Sequence, residues 1–215
     1  MFRLDQPDDL SGEADGEGRL HLLFHPRLRQ ATRVEHERLE RQLDLLDPEL
    51  SLSRHRLVLE SFYGFYAPVE SELRRLLATS RPPGFPLRAR TDLLERDLLS
   101  LGLSCSDIAA LPRCADLPRL SRTEHLAGCL YVLEGACLGG QIIAKALRAR
   151  LPLTVDHGLA FFVGDGSGTG ARWRLVLDWL EDLVRQGALA DEIIASARET
   201  FCSLGRWAEL TGASG

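Results

Sequence analysis

The sequence lacks the cysteine patterns that mark disulfide frameworks and structural zinc sites. Its five cysteines are odd in number and include no C-x-x-C pair, which disfavours both kinds of site. We expect Cys129 and Cys137 to serve as small apolar packing residues.

Membrane-spanning and export signals are also missing. No run approaches the roughly 18 consecutive apolar residues of a membrane-spanning helix. The N-terminus shows no basic segment followed by an apolar one. These absences predict a cytoplasmic protein with no membrane partner.

The chain has no excess of positive charge: its 31 acidic residues outnumber its 26 Lys and Arg, which gives a formal net charge of -5 and a pI near 5.7. This balance disfavours a general nucleic-acid or membrane-surface binder, although it is compatible with local arginine patches and a compact anionic ligand. The 215 residues are 45% hydrophobic, enough for one sizeable core, and no linker divides them. We predict one domain over residues 21–215, preceded by a disordered acidic tail over residues 1–20.

Several catalytic patterns are absent from the sequence. It has no His-Glu-x-x-His or Glu-x-x-His pattern for zinc or di-iron chemistry, and no Gly-x-Ser-x-Gly nucleophile elbow. The glycine run over residues 164–170 lacks the strand-to-helix setting and the terminal Lys-Ser/Thr of a phosphate-binding loop. We therefore predict none of these classes of site.

What the sequence does contain is apolar periodicity at helical spacing, and no segment alternates like a strand. We predict an all-α fold of about six to eight helices. Ser121 and Glu124 match a capping box that would start the central helix. Loops are predicted over residues 104–120 and 151–170, and other helices over residues 28–43, 51–77 with a kink at Pro68, 87–99, 172–185 and 190–210.

Three glycines interrupt an otherwise strong helical pattern over residues 126–147. Gly135, Gly139 and Gly140 each cost a helix interior roughly 1 kcal/mol relative to alanine. One explanation is a ligand that presses against bare backbone, with a bend that the glycines permit. The other is a second helix packed unusually close, since small residues four apart commonly mark such contacts.

An inward-facing histidine stands out on the first helix. The residues Leu28, Thr32, His36, Leu39 and Leu43 follow one face of that helix. An imidazole on such a face is either a hydrogen-bonded core group or a ligand to something buried.

Two arginines accompany this histidine within two helical turns. Arg29 and Arg33 could pair with carboxylate tails on a metal complex whose iron His36 binds, or they could simply be solvated. A planar tetrapyrrole between the histidine helix and the glycine helix would account for both features.

These features resemble the bacterial heme oxygenases. Leu28-Arg-Gln-Ala-Thr-Arg-Val-Glu-His36 is similar to their proximal-helix motif, and Tyr131-Val-Leu-Glu-Gly-Ala-Cys-Leu-Gly-Gly-Gln141 to their distal-helix motif. Phe62-Tyr-Gly-Phe-Tyr-Ala-Pro-Val-Glu70 is similar to their second helix. The likeness covers most of residues 26–210 and is to the biliverdin-producing, phytochrome-associated subgroup. It implies a single-domain heme-oxygenase-like helical bundle with a kinked, glycine-rich distal helix.

The resemblance also implies a role for each site residue. His36 would be the proximal heme ligand, and the distal glycines Gly135, Gly139 and Gly140 would let that helix bend over the other heme face. Basic residues would contact the heme propionates, and aromatic residues would either wall the pocket or pack in the core. The implied propionate contacts are Arg29, Arg33, Arg172 and Arg174, and the aromatic residues are Tyr131, Phe201 and Trp207.

The implied reaction opens heme, which is both substrate and cofactor, to biliverdin, iron and carbon monoxide. It uses dioxygen and electrons from a ferredoxin or a reductase, and a bacterial phytochrome would accept the biliverdin. One position departs from the family: many members carry aspartate after the first distal glycine, where this chain has Ala136. A heme-binding or heme-delivery protein is therefore the alternative function, and a helical interaction module is a third.

Overall fold

A computed structural model describes residues 24–80 and 87–214, and over these ranges the chain is all-α. The predicted fold class is confirmed, and the described residues contain isolated β-bridges but no strand. The acidic tail predicted for residues 1–20 lies outside the described residues. The helices are α1 (Phe24–Leu43), α2 (Leu52–Ser80), α3 (Thr91–Ser100), α4 (Cys105–Ala110), α5 (Thr123–Arg148), α6 (Ala160–Val163), α7 (Thr169–Arg185) and α8 (Ala190–Leu210), with a 3-10 turn at Gly166–Gly168.

Helix α5 is the centre of the bundle and packs against α2, α6, α7 and α8. It remains helical across its three central glycines. By length and composition alone α5 could cross a membrane, with a mean hydropathy of 1.5 over its most apolar stretch. However, 61% of that stretch is buried within the fold, as expected for the core helix of a bundle.

The contact between α5 and α8 depends on Gly128. A Cβ at this position would lie 2.4 Å from the carbonyl oxygen of Ile193 and 2.6 Å from the amide nitrogen of Ala197. Beside it, the Ser196 hydroxyl donates to the carbonyl oxygen of His125 at 2.7 Å. The helices therefore meet backbone to backbone, which only a residue without a side chain allows.

Both predicted loops contain short helices, so these two predictions were wrong. Residues 104–120 include α4, where the Ser104 hydroxyl accepts from the backbone N–H of Asp107 and the Asp107 carboxylate accepts from that of Ser104. Residues 151–170 include α6 and the 3-10 turn. Helices of four to six residues are too short to show a period in the sequence.

The capping box predicted at Ser121 is not formed. Helix α5 begins after Arg122, which makes no side-chain capping bond. The Ser121 hydroxyl lies instead 3.1 Å from Nδ1 of His125. The hydroxyl is therefore engaged by a side chain one turn ahead rather than by the backbone.

Buried carboxylates hold the short helices in place. Asp97 accepts hydrogen bonds from the backbone N–H groups of Ala160 at 2.7 Å and Phe161 at 2.8 Å. Burial raises the pKa of Asp97 to about 6, although these two hydrogen bonds oppose the rise. Asp97 therefore anchors the start of α6 to α3.

Stability should fall in mild acid because of His55. This buried side chain places Nε2 2.7 Å from the carbonyl oxygen of Gly158, and burial lowers its pKa while that hydrogen bond opposes the shift. The unfolded chain therefore binds the proton more readily, so the contribution of neutral His55 is complete above the ordinary pKa of about 6.5 and is lost as pH falls below it.

Thermal unfolding of wild type and His55→Gln between pH 7.5 and 5.5 measures this effect. We expect the variant to be less stable at pH 7.5 but to lose less stability on acidification. The opposing contribution of Asp97 is common to both proteins and cancels in the comparison. Equal pH dependence in the two proteins would contradict the assignment.

Candidate functional site between helices α1 and α5

Helices α1 and α5 are joined mainly through shared neighbours. Both pack against α7 and α8, and they make few direct backbone contacts with each other. One direct link is the ring contact between His25 on α1 and Tyr131 on α5, whose centroids lie 6.2 Å apart. The region between α1 and α5, bordered by α7 and α8, is the candidate ligand site and is called the cleft below.

His36 is the exposed member of an otherwise buried stripe on α1. Leu28, Thr32, Leu39 and Leu43 are buried, whereas the His36 side chain is 47% exposed. It is therefore not the hydrogen-bonded core histidine that the sequence left open. An accessible imidazole on a buried stripe is available to an incoming ligand.

Two contacts orient the His36 ring. Its Nε2 lies 3.5 Å from Oε1 of Glu40, one turn further along α1, and its centroid is 5.4 Å from that of Phe201 on α8. A carboxylate beside one ring nitrogen commonly fixes the orientation of a metal-binding histidine and increases the basicity of the other nitrogen. Phe201, one of the aromatic residues predicted either to wall the pocket or to pack in the core, is thus in ring contact with His36.

The glycines of α5 divide into two groups. Gly139 is open, since a Cβ there would meet no atom within 4 Å, and a Cβ on Gly135 would be 3.3 Å from the Trp173 ring of α7. Both follow Tyr131 at intervals of four residues and continue the face that Tyr131 turns to α1. On this face Gly139 leaves bare backbone, called the glycine wall below, whereas the Trp173 ring covers Gly135.

Gly140 has a different role from the one predicted. A Cβ there would lie 2.6 Å from the carbonyl oxygen of Phe162, so this glycine permits the close approach of α6. The two explanations left open by the sequence, a second helix packed unusually close and bare backbone for a ligand, therefore apply to different glycines. Gly140 and Gly128 serve close packing against backbone, and Gly135 packs against the Trp173 ring, whereas Gly139 leaves backbone uncovered.

An aromatic cluster narrows one end of the cleft. The Tyr131 and Trp173 rings lie 5.5 Å apart, and the His25 ring is 6.2 Å from Tyr131 and 6.0 Å from Trp173. Burial raises the pKa of Tyr131, with Thr32 and Arg29 opposing the rise. Burial lowers the pKa of His25, and Arg29 lowers it further.

His25 and Trp173 belong to this site but were not predicted from the sequence. His25 precedes His36 by 11 residues, or about three turns, which places both histidines on nearly the same helix face. That spacing could have identified His25. Trp173 comes to Gly135 from another helix, and no local pattern predicts that contact.

The four predicted arginines occupy different environments. Arg29 is exposed on α1 and is close enough to affect the pKa values of His25 and Tyr131. Arg33 is also exposed and donates to Glu37 at 3.1 Å, and Arg174 is exposed on α7. These three side chains can reach a ligand from solvent.

Arg172 is instead committed to Glu134. Its Nε and Nη2 donate to the two carboxylate oxygens at 3.2 and 2.6 Å, and both side chains are largely buried. This bidentate pair joins α7 to α5. The structure therefore corrects the predicted propionate contact of Arg172 to an interhelical ion pair.

Trp207 was predicted either to wall the pocket or to pack in the core, and it lies in the core. Its Nε1 donates to the carbonyl oxygen of Ser61 at 2.8 Å, and its ring would be 2.7 Å from a Cβ on Gly64. It fills the interface between α2 and α8. Tyr131 and Phe201 lie instead beside other residues of the candidate site, Tyr131 against His25 and Trp173 and Phe201 against His36.

The residues present fit a heme. One accessible imidazole, a bare backbone wall and arginines at the rim suit a planar iron complex with carboxylate tails. Among the described residues, no group of three or more His, Cys, Asp or Glu side chains could hold a metal ion directly. Fold and site are those of helical proteins that bind a planar prosthetic group between two helices.

Known proteins match this class. The heme oxygenase family profile matches residues 23–209. A heme oxygenase from Xanthomonas campestris pv. campestris is 34% identical over 151 residues, which are 70% of this chain and 81% of that protein. The chain belongs to the heme oxygenase family. It is an enzyme that degrades heme, with heme as substrate and cofactor, dioxygen as co-substrate and an external source of electrons.

Solved structures share the fold. The NO- and CO-bound heme oxygenase of Neisseria meningitidis superposes with a TM-score of 0.72 at 23% identity, covering 89% of this chain and 93% of that one. Heme oxygenase-1 from the cyanobacterium Synechocystis, in complex with heme, gives a TM-score of 0.72 at 22% identity, with the same two coverages of 89% and 93%.

Proposed function

We propose that this protein opens heme to biliverdin, iron and carbon monoxide in the cleft between α1 and α5, with His36 as the axial ligand. The observation that carries this proposal is the exposure of His36, 47% for its side chain, within a helix stripe that is otherwise buried. His36 is the only histidine in this stripe, and its imidazole is accessible at the cleft. Such an arrangement suits coordination rather than core packing.

When bound, heme supplies the iron and the macrocycle on which the dioxygen chemistry takes place. The protein binds the heme and orients it. Glu40 lies beside the His36 ring, Phe201 packs against that ring, and Gly139 leaves room on α5. Because Gly139 has no side chain and no neighbour within 4 Å of a Cβ, a flat ligand can contact the helix backbone there.

Arginines at the rim are assigned to the propionates. Arg29, Arg33 and Arg174 are exposed on the two helices that border the cleft, and a guanidinium pairs well with a carboxylate. From α1 and α7 these arginines would hold the heme carboxylates and so orient the bound ring.

The cellular setting is a further part of the proposal. We assign the enzyme to the cytoplasm, with a ferredoxin or a reductase as electron donor and a bacterial phytochrome as acceptor of biliverdin. The support for these partners is the resemblance of the proximal and distal motifs to the phytochrome-associated subgroup.

Aerobic turnover tests the proposed function. Purified protein is loaded with hemin and supplied with a reductant and dioxygen, and catalase is present to remove hydrogen peroxide. We expect the Soret band to fall as biliverdin absorption rises. Catalase excludes heme breakdown by free peroxide, so biliverdin formed under these conditions comes from the enzyme.

Ala136 favours one alternative, a heme carrier. Without a carboxylate at this position, the usual group for organising water beside the ligand is missing. A carrier would take up hemin in a one-to-one complex and keep the Soret band intact during the turnover experiment. An interaction module would take up no hemin.

A further inference from the structure

A groove runs along the last turns of α5, beside α6. It has a volume of ≈ 730 Å³, and the residues that line it include Gln141, Ile142, Ala144, Lys145, Arg148 and Val163. Volumes of about 300–1,000 Å³ with a mainly apolar lining are typical of small-molecule sites. The apolar part of this lining is accessible, since Ile142 is 46% exposed. The groove therefore has the size and the lining of a binding site for a small organic molecule.

The packing of α6 on α5 fixes the walls of this groove. Nε2 of Gln141 donates to the carbonyl oxygen of Val163 at 2.6 Å. One residue earlier, a Cβ on Gly140 would lie 2.6 Å from the carbonyl oxygen of Phe162. Helix α6 is thereby held against α5 through its own backbone. The groove is therefore preformed in the fold, as most small-molecule sites are.

Two cations border the groove without an anionic partner. Lys145 and Arg148 are exposed, and neither forms an ion pair or a side-chain hydrogen bond with the part of the chain that the structure describes. Residues 135–155 include no Asp or Glu, although the whole chain has 31. Residues three apart on a helix have Cβ atoms about 5–6 Å apart, so both side chains can reach one ligand. The lining is therefore complementary to an apolar molecule that carries carboxylates.

The neighbouring Arg150 shows how the fold engages a cation at this end of α5. Its Nε donates to the carbonyl oxygen of Ala146 at 3.2 Å, and its Nη1 donates to the carbonyl oxygen of Asp47. Cations near a helix C-terminus also interact favourably with the helix dipole. That effect would stabilise Lys145 and Arg148 on any face of α5. It does not account for the position of both beside the same apolar groove.

The groove and the cleft lie on different faces of α5. Successive helical residues turn by about 100°, so Lys145 and Arg148 lie about 120° and 180° around the helix axis from Gly139, the glycine wall. Among the described residues that line the groove, none is a histidine or a cysteine, so the groove offers no such ligand to iron. A molecule can therefore occupy the groove while heme occupies the cleft, and it need not carry a metal.

We propose that this groove is a second tetrapyrrole site, which holds the linear, iron-free product after it leaves the cleft. This inference rests on the proposed function of the cleft. Biliverdin combines an apolar body with two propionates, which match the apolar lining and the two cations Lys145 and Arg148. Heme carries the same propionates, but the groove provides no histidine or cysteine for its iron. Product held on this face of α5 leaves the cleft free for the next heme.

Acetylation of Lys145 tests the site directly, because this residue is the only lysine in the sequence. Wild-type protein loaded with ferric hemin, without reductant so that the cleft stays filled, is treated with an amine-acetylating reagent with and without biliverdin. Mass spectrometry measures the modification of Lys145, and the N-terminal amine is the internal reference. At a biliverdin concentration about ten times its Kd, we expect Lys145 to react about tenfold more slowly. The reference amine should react at an unchanged rate.

Three variants test the two cations. Lys145→Met and Arg148→Met each remove one charge from the groove, and Arg150→Met is the matched control, because Arg150 lies at the same helix end but does not line the groove. The readout is the affinity of the hemin-loaded protein for biliverdin, measured by absorbance titration, with thermal unfolding to check folding. We expect each groove variant to bind about fivefold more weakly, as for the loss of an exposed ion pair. Arg150→Met should leave the affinity unchanged.

Equal acetylation of Lys145 with and without biliverdin, or unchanged affinity in both groove variants, overturns this inference while leaving heme degradation intact. Additional hemin and palmitate are the competing ligands. If either protects Lys145 as well as biliverdin does at the same concentration, the groove does not select the linear product, and the inference is wrong. Wild-type protein that takes up no hemin overturns the proposed function and this inference together.

Discussion

Replacing His36 by alanine is expected to remove the histidine-ligated Soret spectrum of the hemin complex and to lower turnover by at least about 100-fold. Loss of partners that only support a metal ligand commonly costs about 10- to 100-fold in metal affinity or activity, and here the ligand itself is removed. Folding should be nearly unaffected, because the side chain is 47% exposed. Spectral titration with hemin and the aerobic turnover rate measure the two effects.

His25→Ala provides the matched control on the same helix face. His25 packs against Tyr131 and Trp173, so its removal should lower the stability of the heme-free protein while the histidine-ligated spectrum persists. Glu40→Gln should keep ligation but weaken activity by about 10-fold, since the carboxylate only orients the imidazole. A His36→Ala protein with an unchanged spectrum, or a His25→Ala protein that loses it, would move the ligand assignment to His25.

Introducing a leucine at Gly139 should weaken hemin binding without unfolding the protein. A Cβ at this position meets nothing within 4 Å, and replacing a helical glycine removes a helix penalty of about 1 kcal/mol. In the hemin complex the same side chain would occupy the space of the ligand. Overfilling a packed site costs about 1–3 kcal/mol, which predicts binding weaker by about 5- to 150-fold.

A comparison of Gly139→Ala with Gly139→Leu should separate the effect on stability from the effect on hemin binding. Both substitutions should raise the unfolding temperature of the heme-free protein, whereas hemin affinity should fall as the side chain grows. Gly128→Ala is the contrasting variant, because its Cβ would lie 2.4 Å from backbone of α8. It should destabilise the fold by about 1–3 kcal/mol. Unchanged hemin affinity in Gly139→Leu would show that this wall does not contact the ligand.

The secondary structure was largely predictable because its signals are local. Helix α8 was predicted over residues 190–210 and is observed at Ala190–Leu210, since a long amphipathic pattern is easily detected. The stripe on α1 and the glycine pattern on α5 were likewise identified. The wrong predictions also have local causes. The two predicted loops contain α4 and α6, which are too short to show a period, and the capping box at Ser121 does not form because His125 is a competing partner for the Ser121 hydroxyl.

Much of the site could not be predicted, because it depends on which side chains meet. Arg172 was assigned to a ligand, but Glu134 on α5 engages it. The groove at the end of α5 showed no signal in the sequence, and only the folded chain brings Val163 of α6 against Gln141. These contacts join residues that are tens of positions apart, and periodicity carries no information about them.

The sequence by itself determined the helices, the all-α class, and the histidine and glycine motifs that identify the family, because each follows from spacing along one helix. The tertiary structure decided which glycines face open space, because only the packing of α6 and α8 shows that Gly140 and Gly128 are occupied by backbone neighbours. It also decided that His36 is exposed, since a helical stripe defines a face but not what covers it. Burial is a property of the assembled fold, and the accessibility of the proposed heme ligand therefore became visible only there.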